Sequence, residues 1–150
     1  MNTGVPEPAL DDLYRELILD HYRHPRNKGN LAEATARCEG FNPLCGDEIE
    51  IDLDVEDGVV REIAFRGRGC SISQASGSML TEAVKGQSVA DARHLAESFR
   101  KLMTEPEAGP EPELGDLEAF RGVAKFPVRV KCAMLAWRVL EDGLNEEVKP

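Results

Sequence analysis

Three cysteines and one aspartate are the residues of this chain whose side chains point most clearly to chemistry. Cys45 and Asp47 are separated by one glycine, Cys70 follows a Gly-Arg-Gly sequence, and Cys132 lies among basic residues. Three thiolates and one carboxylate form a tetrahedral donor set that suits Zn²⁺ or related iron chemistry. The chain has no Cys-x-x-Cys pair, so an alternative in which these cysteines are small buried apolar residues stays open.

The pattern around these residues predicts that they lie at junctions between secondary-structure elements. Asp47 precedes an alternating strand at 48–55, Cys70 follows the return strand at 59–66, and Cys132 is expected in the opening turn of the last helix. Because the two strands pair as a hairpin, their far ends bring Asp47 and Cys70 together. Helix N-termini and nearby basic residues are expected to lower the pKa of the Cys70 and Cys132 thiols. Those basic residues are Arg66, Arg68, Arg129 and Lys131.

The elements that must position the donor set follow from hydrophobic periodicity and turn chemistry. In chain order they are a helix at about 10–24, strands at 34–39, 48–55 and 59–66, helices at 72–85 and after Ser88, and a helix at about 128–144. Asp57-Gly58 is a strong hairpin signal between the second and third strands. The fold class is therefore α+β, with a small antiparallel sheet that is wet on one face and covered by helices on the other.

Length and composition restrict the class of protein further. The 150 residues fit one domain, and 18 Lys plus Arg against 28 Asp plus Glu give a net charge of −10. Nucleic acid binding needs clustered positive charge, so we expect no nucleic acid partner. No apolar run approaches the ~18 residues of a membrane span, and the opening residues lack a signal peptide. We expect a cytoplasmic protein without a membrane partner, in which structural disulfides are disfavoured.

Two further features invite a functional interpretation. Residues 103–119 hold six acids, three prolines and no basic residue, which predicts a solvated loop. The alternative is an inserted segment with a partner-binding or site-covering role, since loops of this length are uncommon unless functional or disordered. Cys38 is expected on the packed side of its strand. His21, His24 and His94 are expected to be packed or exposed rather than metal ligands.

Three ordered motifs resemble those of the U-type iron–sulfur cluster assembly proteins. They are residues 42–47, 67–73 and 125–133, and the opening segment at 14–25 is similar too. The resemblance covers nearly the whole chain and implies one SufU/IscU-like domain over 1–150, with a three-stranded antiparallel sheet and helices on one face. Two departures make the chain similar to the SufU branch rather than the IscU branch. Lys131 stands where the IscU branch has histidine, and the acidic stretch at about 103–122 is longer.

The resemblance also implies a function. It implies a zinc-dependent sulfur acceptor, a sulfurtransferase that takes persulfide sulfur from a SufS-type, pyridoxal-phosphate-dependent cysteine desulfurase. The sulfur would pass to a SufBCD-type scaffold or to apo iron–sulfur proteins. Such a protein is a sulfur carrier that partners a desulfurase rather than a stand-alone enzyme. The alternative is a scaffold that assembles a nascent iron–sulfur cluster on the same ligands, with iron or a transient cluster in place of zinc.

Within that family, the resemblance implies that Cys45, Asp47, Cys70 and Cys132 hold the metal and that Cys45 is the catalytic, sulfur-accepting thiol. Lys131 is cationic at neutral pH and a poor zinc ligand, so Asp47 has to complete the tetrahedron. Cys45 lies on a loop before a glycine, which allows its side chain to swing out, whereas the other two cysteines are better anchored at helix starts. Asp47, a hard oxygen among soft sulfurs, is expected to form the weakest bond.

Arg129 is expected to pair with Asp47, to contact the partner, or to remain a solvated surface charge. Two other classes of protein stay in view. A structural zinc module would use the same ligands but would lack thiol reactivity. A Cys/His hydrolase is the less favoured of these two classes, because no histidine lies in a recognisable partner motif.

Overall fold

The computed structural model describes residues 6–109 and 111–147, so residues 1–5, on which the signal-peptide expectation partly rests, lie outside the described residues. The elements are helix α1 (Pro6–Arg23), strands β1 (Ala36–Asn42), β2 (Asp47–Glu56) and β3 (Val59–Arg68), helices α2 (Ser71–Val84) and α3 (Val89–Thr104), two 3₁₀ helices (Pro106–Ala108 and Pro112–Lys125), and helix α4 (Pro127–Glu147). The strands form one antiparallel sheet in the order β1-β2-β3, which confirms the predicted α+β fold class. Over the described ranges, no helix is both long and apolar enough to cross a membrane.

The central hairpin follows the predicted alternation. Ile49, Ile51 and Leu53 of β2 are essentially fully buried, and Ile51 lies opposite Phe65 of β3. The turn at 57–58 has positive φ at both residues, 53° and 75°, as an Asp-Gly hairpin turn requires. This hairpin therefore presents one apolar face to the helices and holds the ends of β2 and β3 in register.

The other face of the sheet is less wet than predicted. Asp52 of β2 points to that face, yet only 1% of it is exposed. The segment after α1 crosses over this face: the Gly29 N–H donates to the Phe65 carbonyl at 2.8 Å, and the Leu31 N–H donates to Asp52 Oδ2 at 3.1 Å. Because the covering segment forms no regular element, periodicity gave no signal for it, and the prediction of a wet face is wrong at this position.

The helices pack against the apolar face of the sheet as predicted. Helix α4 lies over β1 and β2, and α2 packs on β3. The Ser88 hydroxyl caps α3 by accepting from the Asp91 N–H at 3.0 Å. Phe99 of α3 stacks on Trp137 of α4 with ring centroids 4.8 Å apart, and both side chains are fully buried. These contacts give the molecule one continuous core.

The acidic segment is the largest departure from the sequence prediction. A solvated loop was expected over 103–119, but most of it forms the two 3₁₀ helices, and Leu114, Leu117 and Phe120 are at least 96% buried. Polar contacts also anchor it to α3, since the Ser98 hydroxyl donates to Glu113 at 2.6 Å. The acids dominate the composition, but the apolar residues between them face the core, and this decides where the segment lies.

Candidate metal centre

Cys45 lies at the tip of a four-residue turn, 43–46, that joins β1 to β2. The turn is closed by the Gly46 N–H, which donates to the Asn42 carbonyl at 2.8 Å. The thiol of Cys45 donates to Asp47 Oδ2 at 2.9 Å, and the residue is exposed to solvent. Among the three cysteines of the predicted donor set, Cys45 is therefore the most accessible to a second molecule.

Asp47 opens β2 and is completely buried. Its Oδ1 accepts from the Cys70 N–H at 2.9 Å, and its Oδ2 lies 3.7 Å from Cys70 Sγ. Gly69 makes this approach possible: a Cβ at this position would overlap Asp47 Oδ1 and lie 2.8 Å from Cγ, and φ is +146°. The hairpin register brings the two segments together, and the glycine lets the carboxylate reach the backbone that precedes α2.

Cys132 lies one turn deeper in its helix than the sequence predicted. Helix α4 begins at Pro127, so the cysteine is in the second turn rather than the opening one. Its side chain is 1% exposed, and its Sγ lies 3.2 Å from Cys45 Sγ. The Ser76 hydroxyl of α2 donates to the Ala133 carbonyl at 2.7 Å, which ties α2 to α4 beside the thiol.

The donor atoms form a compact group. The ligand atoms of Cys45, Asp47 and Cys132 all lie within 4.8 Å of one another. Cys70 lies outside this group of three, with its Sγ 3.7 Å from Asp47 Oδ2. Four ligands at zinc–sulfur and zinc–oxygen bond lengths lie about 3.5–3.8 Å apart in a tetrahedron. The distances here, 2.9 Å to 3.7 Å, are close to that spacing. The spacing of Cys45, Asp47 and Cys132 therefore fits zinc, and Cys70 is the further thiol beside Asp47.

The electrostatics of the group also favour a cation. Burial tends to raise the pKa of Asp47, but hydrogen bonds from Cys45 and the Cys70 N–H outweigh it and hold the pKa below its usual range. Burial and the hydrogen bond to Asp47 raise the pKa of the Cys45 thiol. Burial and hydrogen bonding with Cys45 and Asp47 raise the pKa of the Cys132 thiol. The chain thus places the neutral thiols of Cys45 and Cys132 beside an ionised carboxylate, and a bound cation would favour the thiolate form of both.

The expectation that helix N-termini and basic residues lower the pKa is therefore wrong for Cys132. Arg66 and Arg68 form ion pairs across the sheet, with Asp52 and Glu48 respectively. Arg129 and Lys131 are exposed, and within the described part of the chain the contacts of Asp47 are with Cys45, Cys70 and Cys132, not with Arg129. The positive charges lie close in sequence but are directed elsewhere.

The three histidines and Cys38 lie outside the group. His21 is 2% exposed and its Nδ1 lies 2.7 Å from the Ser78 hydroxyl, whereas His24 and His94 are exposed. Burial is the main cause of the lowered pKa of His21. Cys38 is half-buried and packs against the core. These positions agree with the packed or exposed roles predicted for them.

Two residues of the site carried no predicted role. Gly69 admits the Asp47 carboxylate, and Asn42 closes the Cys45 turn with its backbone and with its side chain. The Asn-Pro start of the turn and the Gly-x-Gly sequence before Cys70 were the available signals, because both residue types are typical of special backbone geometry. Neither signal reveals which side chain the backbone must accommodate.

Fold and site together define a small α+β protein that gathers three thiols and one carboxylate at the end of a β-hairpin. Residues 13–145 match the model of the NifU-like N-terminal domain family. The chain belongs to this family, which confirms the resemblance to the U-type iron–sulfur cluster assembly proteins.

The relatives include members from both branches of that family. The chain is 44% identical over 138 residues to the zinc-dependent sulfurtransferase SufU of Bacillus subtilis, covering 92% of this chain and 93% of that protein. It is 39% identical over 136 residues to the iron–sulfur cluster assembly scaffold protein IscU of Streptococcus pyogenes, covering 91% and 85%. A SufU crystal structure from Fervidobacterium islandicum, named for a scaffold role in the SUF system, superposes with a TM-score of 0.79 at 31% identity, covering 86% and 94%.

Proposed function

We propose that this protein is a zinc-dependent sulfur acceptor that takes persulfide sulfur from a SufS-type cysteine desulfurase for iron–sulfur cluster assembly. The observation that carries the proposal is the buried Asp47 carboxylate, surrounded by the thiols of Cys45, Cys70 and Cys132. The similarity to a zinc-dependent sulfurtransferase SufU supports the same reaction. On this proposal, the four residues hold Zn²⁺ and Cys45 is the catalytic thiol.

The proposed roles follow from the position of each side chain. Zinc, when bound, would supply the positive charge that keeps the thiols deprotonated beside the Asp47 carboxylate. Cys45 is exposed and lies on a turn, whereas Cys132 is buried within a helix, so Cys45 is the thiol that a partner can reach. The desulfurase would supply the persulfide, and a SufBCD-type scaffold or an apo iron–sulfur protein would receive the sulfur.

The transfer itself is a balanced exchange between sulfur atoms. The Cys45 thiolate attacks the outer sulfur of the desulfurase persulfide, and a new sulfur–sulfur bond forms. The original sulfur–sulfur bond breaks, and the desulfurase cysteine leaves as a thiolate. Cys45 then carries the persulfide, and no external oxidant or reductant is consumed.

The experiment combines metal analysis with desulfurase turnover. Cys45→Ser should retain measurable zinc on the other three ligands and should abolish the stimulation of a SufS-type desulfurase. Cys38→Ser is the matched control, because Cys38 packs on the core outside the donor group and should leave both quantities unchanged. Full stimulation by Cys45→Ser would exclude Cys45 as the acceptor.

A scaffold function is the second candidate, favoured by the similarity to the IscU protein of Streptococcus pyogenes. A scaffold would accept iron and sulfide and would transfer a labile cluster to an apo-protein. A sulfur acceptor would stimulate the desulfurase without iron. Turnover measured with and without iron, together with the visible absorption of any cluster, separates the two functions.

A further inference from the structure

A cavity of about 450 Å³ lies between helix α1, the second 3₁₀ helix and the starts of α2 and α4. Its walls are largely apolar, and the side chains that form most of them are Tyr14, Ile18, Leu19, Ile72, Val123 and Phe126. Ligand cavities in proteins are typically about 300–1,000 Å³ in volume, with apolar walls and a few polar groups. The cavity therefore has the size and the surface of a site for a small molecule.

The inserted segment builds one wall of this cavity. Ala119, Gly122 and Val123 of the second 3₁₀ helix line it, together with residues of α1 such as Ile18. The composition of the segment predicted a solvated loop, whereas the structure uses its apolar residues both for the core and for this open space. The segment therefore does more than connect α3 to α4, because it shapes an apolar cavity at the surface.

The charged residues that line the cavity are all basic: Arg15, Lys125 and Arg129. The protein as a whole has a net charge of −10, and four other cavities in the described part of the chain each have at least two acidic residues in their walls. Among residues 6–109 and 111–147, the exposed side chains of Lys125 and Arg129 form no ion pair or hydrogen bond. The cavity thus concentrates positive charge in an acidic protein, and a cleft lined by one sign of charge attracts ligands of the opposite sign.

A ligand that fits these surroundings has an apolar body and a negative charge. Its body would cover Ile72, Val123 and Phe126, and Phe126 is 60% exposed in this structure. Its negative group would pair with Lys125 or Arg129. We propose that this cavity binds a small amphipathic anion, a free molecule with one anionic group on an apolar chain or ring.

The cavity reaches two chain segments that carry candidate metal ligands. Ser71, which lines it, directly follows Cys70, and Arg129 lies three residues before Cys132. Binding of the anion nevertheless needs neither the metal nor the transfer of sulfur. A failure of the cavity to bind a ligand would therefore leave the proposed function intact.

Octanoate is the probe for this site, and octylammonium, with a chain of the same length and the opposite charge, is its counterpart. Each is titrated into the purified full chain, and the chemical shifts of the backbone amides locate the bound molecule. We expect saturable shifts from octanoate in α1 and at residues 119–126. Octylammonium should bind there at least about fivefold more weakly, the factor that one exposed ion pair represents.

Three variants separate the charge of the cavity from its shape. Lys125→Gln removes a positive charge from the wall and should weaken octanoate binding about two- to fivefold. Arg138→Gln is the matched control and should bind normally, because Arg138 is an exposed basic residue of α4 that does not line the cavity. Gly122→Leu adds a side chain to the wall at a position where a Cβ meets nothing within 4 Å, and it should weaken binding further by occupying the cavity.

Thermal unfolding of each variant shows whether it is folded. If Gly122→Leu does not fold, the comparison of Lys125→Gln with Arg138→Gln decides. Equal binding of octanoate and octylammonium, or equal octanoate binding by Lys125→Gln and Arg138→Gln, would overturn the proposal. The absence of saturable shifts from octanoate would also overturn it, and an acidic segment of another protein would then be the occupant that fits the same charges.

Discussion

Strand β2 carries two buried carboxylates on opposite faces of the sheet, and their surroundings differ in charge. Asp52 and Asp47 are exposed by only 1% and 0%, respectively. Asp52 faces the side covered by the segment after α1, where Arg66 Nη1 lies 3.2 Å from it and Arg37 Nε lies 3.5 Å from it. The chain therefore supplies the positive charge that this carboxylate needs.

Asp47 has a different set of partners. Thiol groups and one backbone N–H contact it, and none of the described residues gives it a cationic partner. Its pKa is nevertheless held low by those hydrogen bonds, so it is ionised at neutral pH, as Asp52 is. Burying a charge without a counter-charge is unfavourable. One buried carboxylate is therefore satisfied by the fold alone, whereas the other leaves a place for a cation.

The largest expected effect is the stability that zinc confers through Asp47. A ligand present at about a thousand times its Kd, and bound only by the folded state, adds about 4 kcal/mol to the free energy of unfolding. Asp47→Ala should lose most of that gain, and Asp52→Ala should keep it. Urea unfolding with added zinc and with a chelator measures both. Equal zinc-dependent gains in the two variants would remove Asp47 from the ligand set.

The second effect is a loss of stability that does not depend on the metal. Asp52→Ala leaves Arg66 partly buried without its main partner and should lower the free energy of unfolding by about 2–4 kcal/mol, with or without zinc. Glu56→Ala is the control. It breaks an exposed ion pair with Arg61 at 2.8 Å, and such pairs contribute only about 0–1 kcal/mol. If Asp52→Ala and Glu56→Ala lowered the free energy of unfolding in urea equally, the ion pairs of Asp52 would contribute no more than an exposed pair does.

Gly69→Ala tests the space that the Asp47 carboxylate occupies. The added Cβ would overlap Asp47, and we expect a loss of about 1–3 kcal/mol together with weaker zinc retention. Gly109→Ala is a matched control, because Gly109 also has a positive φ, +102°, but a Cβ there meets nothing within 4 Å. Thermal unfolding and chelator challenge measure the two quantities. If Gly69→Ala and Gly109→Ala lost the same stability and retained zinc equally, the positive φ would explain the loss, and the overlap with Asp47 would not.

The smallest expected effect is the acid sensitivity that Asp52 contributes. Hydrogen bonding from Leu31 and pairing with Arg66 outweigh burial and lower its pKa in the folded state. From about pH 4 downward, the unfolded chain therefore binds more protons than the folded chain does. The free energy of unfolding falls as the pH falls through this range. Asp52→Asn should flatten that part of the profile. The free energy of unfolding is measured against pH with a chelator present. If the profile of Asp52→Asn matches that of the unsubstituted protein, Asp52 is not the source of the acid sensitivity.

The regular elements were predictable because their signals are local. Alternation placed β2, the Asp57-Gly58 turn placed the hairpin, and Ser88 placed the start of α3, each within a few residues of the observed bounds. The acidic segment was not predictable in the same way. Its acids dominate the composition, but Leu117 and Phe120 are buried, and the segment packs on α3, α4 and α1, which only the tertiary structure shows.

The candidate site also has a part that the sequence predicted and a part that it did not. The hairpin register implied that Asp47 and Cys70 are neighbours, since paired strands end side by side. The Cys45–Cys132 approach joins residues 87 positions apart and depends on how α4 packs over the sheet. The basic residues near the cysteines suggested lowered thiol pKa values, but Arg66 and Arg68 point to the opposite face of the sheet, where they pair with carboxylates.

Residue types and near neighbours were enough to predict the element order, the antiparallel hairpin and four candidate donor residues. The tertiary structure alone decided which buried carboxylate has a positive partner and which is surrounded by thiols. It also decided how deeply Cys132 is buried. The physical reason is that burial and Coulomb interactions act through space, and the spatial neighbours of Asp47 and Asp52 come from elements far apart in the chain.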